Sequence, residues 1–303
     1  MVRLYIIRHG DPDYDTNKEN GGSLTENGIA EATALSRALS LEGMTHAYTS
    51  PLGRAKLTAE LALVGIPKFS NRYYGEQEIE SSGDRSDSKL NNFEANVQVE
   101  DWCRELSTWR QSSHLDEFPL KHPKKKAPAL WDFPAPIIRN QLHDITKGET
   151  ESKGWKESCP DYKVYQNEFA KFKREADEFL SRHGILRGTD SNNYHLSKEL
   201  ASAPENRQQK IGIFCHGGMG LTFLSHLLSI PPPMVHSSMW LPPSSVTTVI
   251  FDEHSTSDGD IIVSPRAIQI GGTNHLSAAG LQISNSLYED NGERPAGIKH
   301  NFW

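Results

Sequence analysis

The sequence contains little of what typifies membrane, secreted and nucleic-acid-binding proteins. No apolar run approaches the roughly 18 residues that a membrane-spanning helix needs, and the first residues do not form an apolar signal segment with a small-residue cleavage site. The three cysteines are too widely spaced for a disulfide framework or a metal-binding motif. The net charge of -7 at pH 7 argues against the basic surface of a general nucleic-acid binder. We therefore expect a cytoplasmic protein that binds neither membranes nor nucleic acid.

The acidic net charge still allows an anionic ligand, because a local pocket on an acidic protein can be positive. The chain has 303 residues, enough to bury a sizeable core in one large domain or in two. Its hydrophobic content of 36% lies on the polar side and predicts surface insertions around a compact centre.

Strands and helices alternate at the two ends of the chain. The predicted elements are a strand over residues 2–7, a helix from Thr25 to Gly43, a strand from Thr45 to Thr49, a helix beginning at Ser50-Pro51, a strand over residues 211–215 followed by a helix, and two strands over residues 245–251 and 261–270. Thr25 and Ser50 are good helix N-caps, and Gly43 is a typical helix end. The last two strands predict an antiparallel hairpin at the edge of a sheet.

This order predicts an α/β fold, a three-layer sandwich with a mostly parallel sheet and helices on both faces. Residues 68–209 lose the pattern and predict an insertion or cap in the middle of a single domain that comprises residues 1–303. Within the insertion, apolar residues at helical spacing predict a helix from Tyr162 to His183 that supports the cap.

Residues with phosphate chemistry follow three of the predicted strands. They are Arg8 and His9 after the first strand, Arg54 in the helix after the second, and His216 and Gly217 after the strand over 211–215. An arginine grips phosphate oxygens with parallel N–H groups, and an imidazole can attack phosphorus. A glycine turn before a helix presents N–H groups to an oxyanion. Because ligands of open α/β sheets bind beyond the carboxyl ends of the strands, these residues predict one phosphate site.

The stretches that carry these residues resemble the histidine phosphatase superfamily, also called the phosphoglycerate mutase-like family. The resemblance lies in Leu4 to Gly10, Leu24 to Gly28, Thr49 to Ala55 with Thr58 and Ala59, and Phe214 to Gly218, in the family's order. It implies that His9 is the nucleophile and that Arg8, Arg54 and His216 surround the phosphoryl group of a small phosphorylated substrate, with no metal or other cofactor. The segment Asp11-Pro12-Asp13-Tyr14 departs from the Gly-Glu-Thr or Gly-Glu-Ser continuation common in the family, so the resemblance assigns it no role.

The family's mechanism also needs a carboxyl group as general acid and base. Glu76, Glu78 and Glu80 lie about as far beyond Arg54 as this acid does in many relatives, but in a polar stretch where a carboxylate would be solvated. Glu105 follows an apolar segment that can position it and partly remove it from water. We predict Glu105 as the acid, with Glu78 as the alternative.

The sequence thus predicts a phosphatase that hydrolyses phosphomonoesters through a phosphohistidine on His9, with Glu105 as general acid and base. One alternative is a phosphoglycerate mutase-type isomerase, although the middle of the chain does not resemble the insertion of true mutases. Another is a non-catalytic phosphate binder, which would not need the nucleophile. Specificity is expected to depend on the insertion, so the sequence predicts neither the substrate nor the oligomeric state.

The other histidines are predicted to be structural. The five in the insertion lack ligand spacing and are predicted at the surface: His114, His122, His143, His183 and His195. His226 is predicted to lie inside the last helix, packed or half-exposed, and His236 to line the rim of the pocket.

Overall fold

The computed structural model of the protein describes residues 1–64, 66, 97–106, 162–188, 193–257 and 260–284. The helices are α1 (Glu26–Glu42), α2 (Gly53–Leu63), α3 (Tyr162–Arg182), α4 (Lys198–Ser202), α5 (Gly217–Leu228), α6 (Pro232–Ser238) and α7 (Asn274–Ala278). The strands are β1 (Arg3–Arg8), β2 (Pro12–Asp13), β3 (Ser23–Leu24), β4 (His46–Thr49), β5 (Gln98–Val99), β6 (Ile185–Arg187), β7 (Tyr194–Leu196), β8 (Lys210–Cys215), β9 (Val246–Ser255) and β10 (Ile261–Gly272).

Eight strands form one sheet in the order β5-β4-β8-β1-β9-β10-β7-β6, and β2 pairs with β3 separately. Strands β5, β4, β8 and β1 run parallel, whereas β9, β10, β7 and β6 continue the sheet with antiparallel pairings. In the parallel half Arg8 pairs with Cys215 and Thr49 with Phe214. The carboxyl ends of β1, β8 and β4 therefore lie side by side.

Strand β1 is buried on both sides because helices cover both faces of the sheet. Leu4 and Ile6 belong to a core that includes side chains of α3 and α5, while Tyr5 and Ile7 belong to a second core with side chains of α1 and α2. Alternate residues of a strand point to opposite faces, which explains the division. Each fully buried aliphatic side chain stabilises the fold by roughly 1.5–3 kcal/mol. The three-layer α/β architecture predicted from the sequence is confirmed.

The ends of α1 follow the local signals of the sequence. The Thr25 side chain accepts a hydrogen bond from the backbone N–H of Gly28, as an N-cap does. Gly43 ends the helix in the left-handed conformation, with φ 67°, and its N–H donates to Leu39 O and Ser40 O. Both predictions are confirmed.

Helix α2 begins later than predicted. The expected start at Ser50-Pro51 is wrong, because the helix begins at Gly53. The hydroxyl of Ser50 accepts a hydrogen bond from the N–H of Leu52 at 3.2 Å and pairs with Nε2 of His216 at 2.8 Å. Ser50 is therefore part of the contact between two strand ends and not the cap of the helix.

The predicted helix from Tyr162 to His183 is confirmed as α3, and its role as support for a cap stays a prediction. Its side chains Phe172 and Phe179 pack on the sheet-covering core, where both rings lie against Trp102 with centroids 5.7 and 5.0 Å away. The helix forms one of the layers of the sandwich itself.

The predicted antiparallel hairpin is confirmed as β9 and β10, but it does not lie at the edge of the sheet. Strand β7 pairs with β10 through Ile262 and His195, and β6 follows. Both β6 and β7 lie within residues 68–209, so part of this range belongs to the sheet. The extent of an insertion and the single domain stay predictions. Within the described part of the chain, no helix combines the length and apolar character needed to cross a membrane.

Candidate active site

Three strand ends bring the predicted site residues together at one edge of the sheet. The backbone N–H of His9 donates to Cys215 O at 3.0 Å, and the N–H of Ser50 donates to Phe214 O at 2.9 Å. The sheet pairing thus continues past the strands and positions the residues that follow. The rings of His9 and His216 lie with centroids 5.1 Å apart and an interplanar angle of 61°.

The imidazole of His9 is held in one orientation. Its Nδ1 lies 2.7 Å from Gly10 O. Because a carbonyl oxygen can only accept, Nδ1 carries the proton, and Nε2 has the lone pair in the neutral ring. Arg54 Nε donates to this Nε2 at 3.1 Å. His9 is 1% exposed, and its backbone oxygen accepts a hydrogen bond from Ser244 N at 3.0 Å.

Arg54 lies in the first turn of α2 and is buried. Its Nη1 donates to Gly21 O, while its own backbone oxygen accepts from the hydroxyl of Thr58 at 2.7 Å. The same hydroxyl accepts from the N–H of Gly10 at 3.0 Å, next to the nucleophile. Thr58 therefore fixes the distance between the loop after β1 and the helix that carries Arg54.

Arg8 is half-buried beside the start of α5. Its Nη1 donates to Leu241 O at 2.6 Å. Burial lowers the pKa of Arg8, an effect opposed by the charges of Tyr14, Glu105 and Glu31, but a guanidinium stays protonated throughout the physiological range. A Cβ on Gly217 would lie 3.4 Å from Arg8 Nε, an ordinary van der Waals distance, so the guanidinium packs beside the start of α5.

The second histidine, His216, is fully buried. Its Nε2 pairs with the hydroxyl of Ser50 at 2.8 Å. Since that hydroxyl also accepts from Leu52 N, the orientation of the imidazole depends on the turn that leads into α2. The role of Ser50 was missed in the sequence, where its position before a proline gave only a cap signal.

The side chain of Glu105 lies against the N-terminus of α5. Its carboxylate accepts from Met219 N at 2.9 Å and from Gly218 N at 3.4 Å, and its charge acts on Arg8. These N–H groups, predicted to face an oxyanion of the substrate, face this carboxylate instead. The preceding residues Trp102 and Cys103 are buried and anchor the segment in the core. The rivals Glu76, Glu78 and Glu80 lie outside the described residues.

A second carboxylate, Glu31, was not predicted. It is 0% exposed and accepts from the backbone N–H of Asp11 at 2.9 Å, from Asn27 Nδ2 at 3.0 Å and from the hydroxyl of Ser244 at 3.4 Å. Burial is the main cause that raises the pKa of Glu31. Glu31 therefore connects the loop after His9 to the loop of Ser244. The available signal was a carboxylate on the apolar face of a predicted helix.

Gly10 follows the nucleophile and is needed for packing against α1. A Cβ there would lie 2.6 Å from Gly28 O. A Cβ on Gly28 would in turn lie 2.2 Å from Asp11 O. The two glycines allow the loop after β1 to pack directly on the first turn of α1.

Two further histidines are buried and pair with residues outside the site. His226 has its Nε2 2.6 Å from Asp177 Oδ1, which confirms that it is packed. His183 is buried too, with Nδ1 2.7 Å from Gln209 Oε1, so its predicted surface position is wrong.

The prediction that His236 lines the pocket rim is wrong, because the residue is 1% exposed and its Nε2 pairs with the hydroxyl of Thr222 at 3.1 Å. Burial lowers the pKa of His236 to about 3. His195 is half-buried in β7, and the three remaining insertion histidines lie outside the described residues: His114, His122 and His143. Among the residues that the structure describes, no group of three or more His, Cys, Asp or Glu side chains is arranged to hold a metal ion.

Two buried thiols lie close to the site, at Cys103 and Cys215. Burial is the main cause that raises the pKa of each, well above the usual range of a thiol. Since the thiolate is the nucleophilic form, neither thiol rivals His9 as the attacking group.

Comparison with known proteins gives a sequence match in the amino-terminal part of the chain. Residues 4–78 match the description of the histidine phosphatase superfamily (branch 1). The probable phosphoglycerate mutase GpmB of Serratia proteamaculans is 34% identical over 65 residues, which are 20% of this chain and 30% of that protein. The GpmB protein of Cronobacter sakazakii is 33% identical over 69 residues, 22% of this chain and 32% of that protein. The matched segment therefore spans about a third of the length of these relatives.

Solved structures with similar folds include a phosphoglycerate mutase from Bacillus anthracis, with 17% identity and a TM-score of 0.47 over 92% of this chain and 96% of that one. A phosphoserine phosphatase from Entamoeba histolytica has 18% identity and a TM-score of 0.45 over 91% of this chain and 100% of that one. The likeness to the family depends on the sequence match, which includes Arg8, His9 and Arg54. Over residues 4–78 the chain is therefore similar to the histidine phosphatase superfamily (branch 1).

Proposed function

We propose that the protein is a phosphatase that hydrolyses a small phosphomonoester through a phosphohistidine on His9. The observation that carries this proposal is the state of the His9 ring: Nδ1 faces Gly10 O, and Nε2 keeps its lone pair beside the guanidinium of Arg54. A neutral imidazole fixed in this tautomer is a competent nucleophile toward phosphorus.

In the first step, Nε2 of His9 forms a bond to phosphorus while the ester P–O bond breaks. Glu105 in its protonated form gives its proton to the leaving oxygen, which departs as an alcohol. Arg8, Arg54 and His216 stabilise the charge on the phosphoryl oxygens, and this positioning supplies most of the catalysis of phosphoryl transfer.

In the second step, the carboxylate of Glu105 takes a proton from water, whose oxygen bonds to phosphorus while the N–P bond to His9 breaks. Inorganic phosphate then leaves, and both residues return to their initial states. The proximity of Glu105 to this centre is supported by its hydrogen bonds to the first turn of α5, directly after His216.

The proposal is tested by labelling with a radioactive phosphoryl donor, quenched in alkaline detergent, and by release of phosphate from p-nitrophenyl phosphate. The wild-type protein should give an acid-labile label and turnover, and His9→Ala should lose both. His183→Phe is the matched control, because this second buried histidine lies against aromatic rings away from the site.

Undiminished turnover in His9→Ala would overturn the mechanism. Phosphate binding without label or turnover in the wild type would favour a non-catalytic binder. Interconversion of 2- and 3-phosphoglycerate without net phosphate release would assign a mutase instead.

A further inference from the structure

Tyr14 is an exposed aromatic residue whose ring lies against Arg54, the arginine that contacts the nucleophile His9. Its side chain is 49% exposed, among the most exposed of the large hydrophobic and aromatic residues described. The guanidinium carbon of Arg54 lies 5.3 Å from the centroid of its ring, within the range of a cation–π contact. The same Arg54 donates to Nε2 of His9, so a single side chain separates the ring from the attacking atom.

The backbone around Tyr14 is held on both sides. The preceding residues Pro12 and Asp13 pair with Leu24 and Ser23. The Asp13 carboxylate accepts from the N–H groups of the two residues after Tyr14, at 2.9 and 3.2 Å. These bonds make a tight turn with Tyr14 inside it. The aromatic ring is therefore presented by an ordered segment.

The ring lies on the solvent side of Arg54. Tyr14 is 49% exposed, whereas Arg54 and His9 are 5% and 1% exposed. The ring therefore lies between the buried nucleophile and the solvent. A phosphomonoester bound with its phosphorus beside Nε2 of His9 would contact Arg54, and its leaving group would extend outward past the ring.

We propose that Tyr14 contacts the leaving group of the substrate and selects phosphomonoesters whose leaving group has a flat, apolar face. This inference rests on the proposed function of the site and names its substrate class. An exposed aromatic face offers offset stacking to a planar group and little to a compact alkyl group. Because the aromatic ring supplies this contact, Tyr14→Phe should preserve the contact and Tyr14→Leu should remove it.

The test uses equilibrium binding of two phosphonates that cannot be hydrolysed, benzylphosphonate and ethylphosphonate. Tyr14→Leu should weaken benzylphosphonate binding about tenfold, whereas ethylphosphonate binding should change less than about twofold. Tyr14→Phe should retain wild-type affinity for both. The same pattern should appear in kcat/KM for benzyl phosphate and ethyl phosphate, which both release a primary alcohol.

Equal losses for the two phosphonates would overturn the proposal, because Tyr14 would then act through Arg54 on the phosphate alone. Unchanged binding of both would overturn it as well. Failure of the proposed function looks different: the wild type would release no phosphate from either ester. Selective loss of benzylphosphonate binding in Tyr14→Leu would in that case still support the contact.

Discussion

Two pairs of histidines lie at opposite ends of the parallel strands, and they look alike at first. The rings of His9 and His216 have centroids 5.1 Å apart at the carboxyl ends, and those of His46 and His183 have centroids 5.0 Å apart near the amino ends. His9, His216 and His183 are all buried. Proximity and burial of two imidazoles therefore do not distinguish a site from a packing contact.

The surroundings of the two pairs differ. His183 lies against the rings of Tyr48 and Phe179, with centroids 5.5 and 5.1 Å away, and burial lowers its pKa to about 4. His9 contacts the guanidinium of Arg54 and the carbonyl of Gly10. Aromatic neighbours favour an uncharged, structural imidazole, whereas a cation and a fixed tautomer prepare one for reaction with an anion. The residues that contact each histidine pair, more than the pair itself, therefore identify the candidate site.

Replacing one histidine of each pair should give the largest difference in kcat/KM. His216→Ala should lower kcat/KM for p-nitrophenyl phosphate about 100-fold or more, because a group that stabilises transferred charge is lost. His183→Phe should leave kcat/KM within about twofold, since its partners are Gln209 and aromatic rings. Steady-state kinetics on folded variants checks both values. Similar losses in the two variants would mean that the comparison fails and that both pairs affect the site.

Removing the carboxylate beside the first pair, that of Glu105, should give a loss of activity that depends on the leaving group. Glu105→Gln should slow hydrolysis of benzyl phosphate about 100-fold, because a poor leaving group needs a proton from the acid. The loss should be mild for p-nitrophenyl phosphate, whose leaving group needs little protonation. The ratio of the two kcat/KM values measures the role of the acid directly.

The matched control for this prediction is Glu100→Gln. Glu100 lies on the same segment, but its carboxylate pairs with Arg182 at 2.8 Å. This variant should change both substrates equally and slightly. Equal large losses for both substrates in Glu105→Gln would assign Glu105 a role other than proton transfer.

Local signals in the sequence predicted the parts of the site that follow strands. Arg8, His9 and His216 each follow an apolar strand directly, and the order of elements implied that these strand ends meet. The partners that orient them were missed, because their contacts span long distances in the chain. Ser50 meets His216 across 166 positions, and Ser244 meets Glu31 across 213.

The same limit applied to the sheet. The parallel half follows from a βαβα pattern that is readable locally. The antiparallel half includes β6 and β7, short strands of three residues each within a range without clear periodicity. The pairing of β7 with β10 depends on contacts such as Val263 with Tyr194, and β6 pairs in turn with β7, which no local pattern encodes.

The smallest predicted effect concerns stability and not activity. His183 has an ordinary pKa near 6.5 when unfolded, whereas burial lowers it to about 4 in the fold. Because the folded pKa is the lower one, the unfolded chain binds a proton that the folded chain refuses between pH 6.5 and 4. The free energy of unfolding should therefore fall as the pH drops through this window. For this residue alone, the fall from pH 7.5 to pH 5 should be about 2 kcal/mol.

Urea unfolding of the wild type and His183→Phe at pH 7.5 and pH 5 isolates this contribution. Burial also lowers the pKa of His236 to about 3 and of His275 to about 4, so the wild type loses further stability over the same window. His183→Phe should keep the loss of stability that His236 and His275 cause and should lack the contribution of His183. The free energy of unfolding of this variant should therefore depend less on pH than that of the wild type. Identical pH dependence in the two proteins would mean that His183 is protonated in the fold. The second histidine pair would then carry charge, and the contrast with His9 and His216 would be lost.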